Sequence, residues 1–396
     1  MYKKLEISFP FNTSYSFKIR QSVEQRMKTS DKIRVAVLYG GRSAEHEVSL
    51  RSAANVIQHL DPSRFDVIPM GIDKQGNWFL GKDVFVNSLE QNEVKKLESH
   101  TWFAPEWIKN GVTKPVSGPP FDVVFPAVHG TLCEDGTLQG LLEMADLPYV
   151  GCGVLSSAVN MDKDVSKRLA REAGINVAPY LAIKQKEWQA KRDSYIKQIA
   201  KDIAYPLFVK PANTGSSIGI SKVKTPEALQ AAMDEAFRFD TKVLVEKALN
   251  VVELEIAVLE SLEGHADPIV SVVGEIRPSH EFYSYDAKYL DENGAELFIP
   301  APVDEVICKE AQTMAKKLFL ALECEGMARV DLFLNKDDQK IYYNEVNTLP
   351  GFTQISMYPK LMGASGVSYR DLLTHLVTLA INKHEHKSQL IRSYTD

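Results

Sequence analysis

Four side chains near the C-terminal end have the types and the spacing to hold a metal ion and a phosphate together. In "ARVDLFLNKDDQKIYYNEVN" (328–347), Arg329 and Asp331 lie two apart, and so do Glu345 and Asn347. A strand sends alternate side chains to opposite faces, so each pair shares a face, and Tyr343 is expected to line up with Glu345 and Asn347. Acids and amides are poor strand formers, so a sheet face that carries them needs a reason. Two strands joined by the polar turn bring Asp331 opposite Glu345 and Asn347. Three oxygen donors suit a hard, octahedral Mg2+, with phosphate oxygens and water completing the shell. Arg329 beside them would neutralise a transferring phosphate. A bare structural ion pair is the competing reading, since buried acids need charge partners in any case.

Other segments offer single groups. The loop "NTGSSIGI" (213–220) has the small residues that let backbone N–H groups approach phosphate oxygens, and Lys210 just before it supplies a point charge. It lacks GxxxxGK[ST] and is no Walker loop, and an ordinary hairpin would have the same composition. The turn "GGRSAEHEV" (40–48) lacks the dinucleotide fingerprint. Its Glu45 either supports the first helical turn or, at the carboxyl edge of an open α/β sheet, holds an ammonium. His129 in "AVHG" (127–130) ends another strand at the same crevice, or is structural. "FYSYDAKYL" (282–290) sets four aromatics around Lys288, either as an amphipathic staple or as a cover that excludes water while Lys288 reaches an anion.

The elements that must position these groups follow from periodicity. "IRVAVLYGG" (33–41), a helix from Glu45 to Leu60 and "RFDVIPMGID" (64–73) make a βαβ opening, which "FDVVFPAVHG" (121–130) and a helix around "DGTLQGLLEMA" extend. Residues 80–120 read as an irregular excursion. A helix over 161–174, strand–loop–strand over 205–223, a helix at 225–239 and "KVLVEKAL" (242–249) form a compact middle unit. Beyond 250, strands "ELEIAVLE", "PIVSVVGEI", "MARVDLFL" and "KIYYNEV" dominate, with a helix at 304–321. The organisation is a parallel α/β domain, a small α+β lid and a larger antiparallel α+β domain, bounded as 27–149, 150–249 and 250–384. Residues 1–26 are expected to be a disordered or non-native arm and 385–396 a frayed tail.

Bulk properties narrow the class. The 396 residues carry a formal net charge of −6, which offers no basic field for nucleic acid. No run of apolar residues is long enough to span a membrane. Four cysteines without CxxC spacing fit a reducing, cytoplasmic setting and argue against zinc.

Ordered motifs then converge. "GGRSAEHEVSL", "HGTLCEDGTLQG", "MDKDVSKRL", "FVKPANTGSSIGISKV", "VEKAL…ELEIAVL", "FYSYDAKY", "ARVDLF" and "NEVNTLPGFTQISMYPKL" resemble the bacterial D-alanine–D-alanine ligases, from Met27 to about residue 383. The resemblance implies an ATP-grasp fold with a Rossmann-like N-terminal domain, and ligation of two D-alanines through a D-alanyl phosphate for peptidoglycan precursors. It implies that Glu45 holds the first D-alanine's amino group, linked to Ser216 and Tyr289 as the covering loop closes. Lys163, Lys210 and Lys288 would contact ATP phosphates, with Ser217 also on the nucleotide. Glu246 and the backbone of Lys247–Leu249 would read adenine, and Glu253 the ribose. Asp331, Glu345 and Asn347 would ligate two Mg2+, or Mn2+ in their place. Arg329 and the Gly351 N–H would stabilise developing charge, and Ser356 with Met357 would hold the second D-alanine's carboxylate near His129. A homodimer is the family expectation. "DAKY" keeps the tyrosine that D-lactate ligases of this family commonly alter, which favours an amine nucleophile and the ordinary dipeptide; D-alanyl-D-lactate and D-alanyl-D-serine are the alternative products. Two departures stand out: Cys133 replaces glycine in "HGTLCEDG", and "NVVELE" lacks a glycine-arginine before the ribose acid. A non-catalytic ATP-binding homologue is the reading from a different class.

Overall fold

A computed structural model describes residues 32–94, 121–264, 266–278 and 295–393. The arm 1–26, most of the 80–120 excursion, and the covering segment with Lys288 and Tyr289 lie outside the described residues.

Apolar, β-branched runs build the first sheet from β1 (Ile33–Gly40), β2 (Phe65–Ile72), β3 (Trp78–Leu80) and β4 (Val123–Pro126), in the order β3-β2-β1-β4. β1 runs parallel to β2 and β4, and β3 adds an antiparallel edge. Helices α1 (His46–His59), α2 (Lys82–Gln91) and α3 (Thr137–Met144) belong to this part. The α2 helix corrects the expectation of irregular chain after residue 80. It is short, and its signal is local: Phe85 packs edge-on against Tyr39 at 5.0 Å, and Asn92 ends the helix in the left-handed conformation.

Two helices, α4 (Val154–Met161) and α5 (Lys163–Glu172), lead to a second sheet of β5 (Tyr180–Lys184), β6 (Leu207–Pro211), β7 (Ser221–Val223) and β8 (Lys242–Lys247). Its order is β5-β8-β6-β7, all antiparallel, with α6 (Gln185–Asp202) and α7 (Leu229–Ala236) closing its core over Ile183, Val209 and Val245. The lead-in segment, which the sequence groups with this unit, instead places Cys152, Ala170 and Ile175 in the core of the third sheet.

That third sheet contains β9 (Val251–Leu259), β10 (Ile269–Val270), β11 (Gly274–Pro278), β12 (Ala295–Phe298), β13 (Met327–Asn335) and β14 (Ile341–Asn347). It follows the order β12-β11-β9-β13-β14 with β10 on β9, and α8 (Glu305–Ala321) packs on it. The single strand expected over "PIVSVVGEI" breaks into β10 and β11 where Ser271 Oγ takes the Ala257 N–H at 2.9 Å. The last helices, α9 (Met357–Ala364) and α10 (Tyr369–Ser388), return to the first domain, where Phe352, Tyr358 and Leu373 share a core with Val37 and Phe125. This return carries the segment after β14 to the mouth of the first sheet. The helix α10 also runs into the expected frayed tail, because Lys387 Nζ donates to Glu143 at 3.0 Å. Among the described residues, no helix is long and apolar enough to cross a membrane.

Candidate active site

The ladder of the third sheet sets three acids in one cross-strand row. Glu255 on β9 pairs with Asp331 on β13, which pairs with Glu345 on β14, while Arg329 faces Asn347. On the opposite face Leu254, Val330, Leu332 and Val346 fill the core, so alternation alone forces the polar set onto one surface. Tyr343 departs from expectation. Between Asp331 and Leu332 the register slips, so Asn344 is an extra residue and Tyr343 pairs with Leu332. This bulge turns Tyr343 into the core, fully buried, and away from Glu345.

Arg329 is clamped in the row. Its Nε and Nη2 donate to the two Asp331 oxygens at 2.7 Å each, and Nε lies 3.0 Å from Glu255 Oε2. Burial opposes the guanidinium charge, but Asp331 and Glu255 outweigh it and raise its pKa well above the ordinary value. Asn347 Nδ2 donates to Asp331 Oδ2 at 2.9 Å. Among the described residues no three His, Cys, Asp or Glu side chains gather as a metal centre. The donor set is two carboxylates and an amide, which fits Mg2+ if phosphate oxygens complete the shell.

The first domain contributes a second cluster at the carboxyl ends of β1 and β4. Ser43 Oγ donates to the His129 carbonyl at 2.6 Å and accepts the Glu45 N–H at 3.2 Å, which fixes the buried Glu45 beside Gly130. Gly130 has φ +80°, and a Cβ there would stand 2.5 Å from Glu45 Oε2, so any other residue would strain the backbone and push the Glu45 carboxylate aside. Glu134 Oε1 accepts the Gly130 N–H at 2.7 Å. Burial, then the nearby Glu45 charge, push the Glu134 carboxyl up to about 8. His129 is buried, with Nε2 2.9 Å from Ser52 Oγ and Nδ1 3.2 Å from the Leu349 carbonyl. Burial lowers its pKa to about 4, so the ring is neutral near pH 7.

The 213–220 loop bridges the two clusters. Ser216 and Ser217 both take positive φ, 48° and 59°, and this bend carries the Ser216 hydroxyl onto Glu45 Oε1, to which it donates. Lys163 Nζ donates to the Thr214 carbonyl at 2.6 Å and lies 3.5 Å from Glu345 Oε2, which ties the loop to the acid row. Behind the loop, Lys210 Nζ donates to Glu246 Oε1 at 2.6 Å. Glu246 is therefore a buried charge partner for lysine, in addition to any part its backbone plays at a base. Lys247 ends β8 exposed, Leu249 is half-buried in the turn after it, and Glu253 is half-buried on the same face of β9 as Glu255.

On the far side, Tyr369 Oη and Asn55 Nδ2 hold the Phe352 carbonyl at 2.6 and 2.8 Å, pinning the segment after β14. A Cβ on Gly351 would stand 2.8 Å from Ser356 Oγ. Ser356 precedes α9, whose first residue is the buried Met357, and its Oγ accepts the Thr353 N–H at 3.0 Å. The structure thus links Glu45, Ser216, Lys163 and Glu345 across the three units, with Arg329, Asp331 and Asn347 beside Glu345 and His129 bonded to the Leu349 carbonyl. Ser217 lies in the bridging loop, Lys210 behind it on Glu246, and Gly351 and Ser356 in the segment after β14. Sequence reasoning missed Glu255, Glu134, Ser52 and Lys167. Glu255 had a usable signal, two residues from Glu253 in "ELEIAVL"; Ser52 and Lys167 read as ordinary helix residues.

Known proteins match along almost the whole chain. Residues 34–152 match the family model described as D-ala D-ala ligase N-terminus, and residues 169–378 that described as D-ala D-ala ligase C-terminus. The D-alanine–D-alanine ligase A of Bradyrhizobium diazoefficiens is 50% identical over 380 residues, covering 92% of this chain and 99% of that protein. The D-alanine–D-alanine ligase A of Escherichia coli K12 is 45% identical over 361 residues, covering 89% and 97%. Among solved structures, VanG D-Ala:D-Ser ligase from Enterococcus faecalis superposes with a TM-score of 0.74 at 36% identity, over 88% of this chain and 100% of that one. The D-alanine–D-alanine ligase from Coxiella burnetii gives 0.74 at 35% identity, over 92% and 98%. With both halves matched and the fold superposing on solved ligases, the chain belongs to the D-alanine–D-alanine ligase family and has its ATP-grasp fold.

Proposed function

We propose that this chain joins two D-alanines into D-alanyl-D-alanine at the cost of ATP, as a cytoplasmic step toward peptidoglycan precursors. The observation that carries the reading is the link from Glu45 through Ser216 and Lys163 to the Arg329–Asp331–Glu345–Asn347 row. One end of that link suits an ammonium and the other a metal-bound phosphate, and the gap between them is where a carboxylate would meet the γ-phosphate.

A carboxylate is a poor electrophile. Transfer of the γ-phosphoryl to the carboxylate of the first D-alanine releases ADP and makes an acyl phosphate. The uncharged amine of the second D-alanine then attacks the acyl carbon, the tetrahedral intermediate expels phosphate, and the nitrogen loses a proton. Phosphoryl transfer depends on positioning and charge neutralisation. Glu45 holds the first ammonium, and Lys163, Lys210, Lys288 and Arg329 neutralise phosphate. Ser217, Glu246, Lys247, Leu249 and Glu253 surround the nucleotide. Asp331, Glu345 and Asn347 would hold two Mg2+, or Mn2+, which would supply charge neutralisation to the transferring phosphate. The Gly351 N–H serves the oxyanion, and a Cβ there would crowd Ser356 Oγ beside it. Ser356 and the Met357 N–H at the start of α9 take the second carboxylate, where the helix dipole favours an anion. His129, neutral and bonded to Ser52 and Leu349, orients that region. Closure by Tyr289 and its neighbours would protect the acyl phosphate from water.

D-serine as acceptor is the second reading, favoured by the likeness to a D-Ala:D-Ser ligase. A homodimer is part of the proposal on family grounds, and the four free cysteines accord with a reducing compartment. The test is phosphate release from ATP and Mg2+ with and without D-alanine, followed by product mass after incubation with D-alanine, D-serine and D-lactate. Turnover that is independent of D-alanine, or absent, would sink the ligase reading, and a mixed-product mass would redirect the acceptor.

A further inference from the structure

Lys163 and Lys167 stand four apart on α5 and so share a helix face, but they do different things. Lys163 reaches the loop. Lys167 is 1% exposed, and its Nζ lies 2.8 Å from Glu246 Oε2. The other oxygen of Glu246 accepts from Lys210 Nζ at 2.6 Å, so one carboxylate, 2% exposed, is shared between two lysines. Lys167 Nζ also donates to the Tyr343 carbonyl at 3.4 Å and sits 5.5 Å from the centre of the Tyr343 ring. Tyr343 is the residue that the bulge turns into the core just before Glu345.

Two physical consequences follow. Burial presses the Lys167 ammonium below the usual lysine range, and the Glu246 charge opposes this. With both lysines protonated, two positive charges face the single negative of Glu246, so one positive charge remains for a ligand. Without Lys167 the remaining Glu246–Lys210 pair is neutral, and Glu246 holds Lys210 for itself in a low-dielectric site. The contacts of Lys167 also span the second sheet, through β8, and the third sheet, through β14. We propose that Lys167 is a positioning residue for the nucleotide. It occupies half of Glu246 so that Lys210 can meet phosphate, and its bond to Tyr343 holds Lys210 in register with the strand that bears Glu345 and Asn347. Burial pushes the Glu246 carboxyl up, and the charges of Lys167 and Lys210 reverse this and hold it at about 2. The inference rests on the ligase reading only in taking Lys210 to the ATP phosphates.

The test compares the full chain with Lys167→Met, Lys167→Arg and the double variant Lys167→Met/Glu246→Gln. ADP affinity is measured by calorimetry, and KM for ATP and for D-alanine by phosphate release. Lys167→Met is expected to weaken ADP binding and raise KM for ATP by about tenfold or more, corresponding to roughly 1.4 kcal/mol, with KM for D-alanine nearly unchanged. Lys167→Arg should recover most of the affinity. The double variant restores the single net positive charge and should bind ADP better than Lys167→Met. Should Lys167→Met not fold, the arginine and double variants carry the comparison against the parent. Parent-like ADP affinity in Lys167→Met would overturn the proposal. So would an equal loss in all three variants, or a parallel rise in both KM values, because these mark a purely structural lysine. If the parent binds ADP but shows no D-alanine-dependent turnover, the ligase reading fails while the ADP series still judges Lys167.

Discussion

Replacing Glu345 by glutamine separates its stability role from its chemical one. The carboxylate is about a quarter exposed and stands 3.5 Å from Lys163 Nζ, at the open end of the acid row. An ion pair of that kind is worth about 1 kcal/mol or less once solvent screening is counted. Glutamine keeps the shape and one oxygen, so Tm should fall by no more than about 4 °C. The chemical loss should be far larger. Asp331 already shares its two oxygens with Arg329 and Asn347, so under the proposed metal assignment Glu345 would be the carboxylate that takes a divalent ion. Loss of one group that neutralises transition-state charge typically costs about 100- to 1,000-fold in kcat, and we expect at least that. The assay is D-alanine-dependent phosphate release over a Mg2+ titration, with thermal unfolding on the same preparation. The expected pattern is a near-parent Tm, a collapsed rate and a Mg2+ requirement moved to higher concentration. A parent-like rate at ordinary Mg2+ would refute the metal assignment. A rate loss that simply tracks a large fall in Tm would refute the claim that Glu345 acts in chemistry rather than in folding.

Three further outcomes are expected. Gly130→Ala should cost about 1–2 kcal/mol for its left-handed backbone alone, and the new methyl should displace Glu45 and raise KM for D-alanine; thermal melts and D-alanine titrations check both. His129 is held at about 4 by burial, below its usual value near 6.5. Between those values the unfolded chain binds a proton that the folded chain refuses, so stability should fall as pH drops through that window. In His129→Gln that part of the slope should vanish from unfolding curves at pH 7 and 5, and an unchanged slope would contradict the buried, neutral ring. Arg329→Lys loses the paired bonds to Asp331 and the reach to Glu255. It should lower kcat by about 100-fold or more while ADP still binds, a split that parallel kinetics and calorimetry would show.

Much of the site was legible because strand alternation is rigid. Glu345 and Asn347 had to share a face, and a short polar turn had to return β14 alongside β13, so Asp331 opposite Glu345 could be read before any coordinates. The same rule misplaced Tyr343, because one inserted residue resets the alternation and no sequence signal marked the bulge at Asn344. The α2 helix was overlooked because its pattern is short and its anchor, Phe85, gains meaning only against Tyr39. Lys167 shows the limit in another form. A lysine in "VSKRL" reads as a solvated helix residue, and only the approach of β8 and β14 makes it a buried charge shared with Glu246.

By itself, then, the sequence determined the local chemistry: which strands form, which residues share their faces, which loop is small enough for phosphate, and the motifs that mark the family. These depend on spacings of a few residues, which covalent geometry enforces. The tertiary structure decided what those groups do to one another: Ser216 bent onto Glu45, Lys163 joined to Glu345, Glu246 divided between two lysines, and His129 neutralised by burial. Such properties arise from charge and solvent exclusion across units far apart in the chain. They exist only once packing has brought those units together.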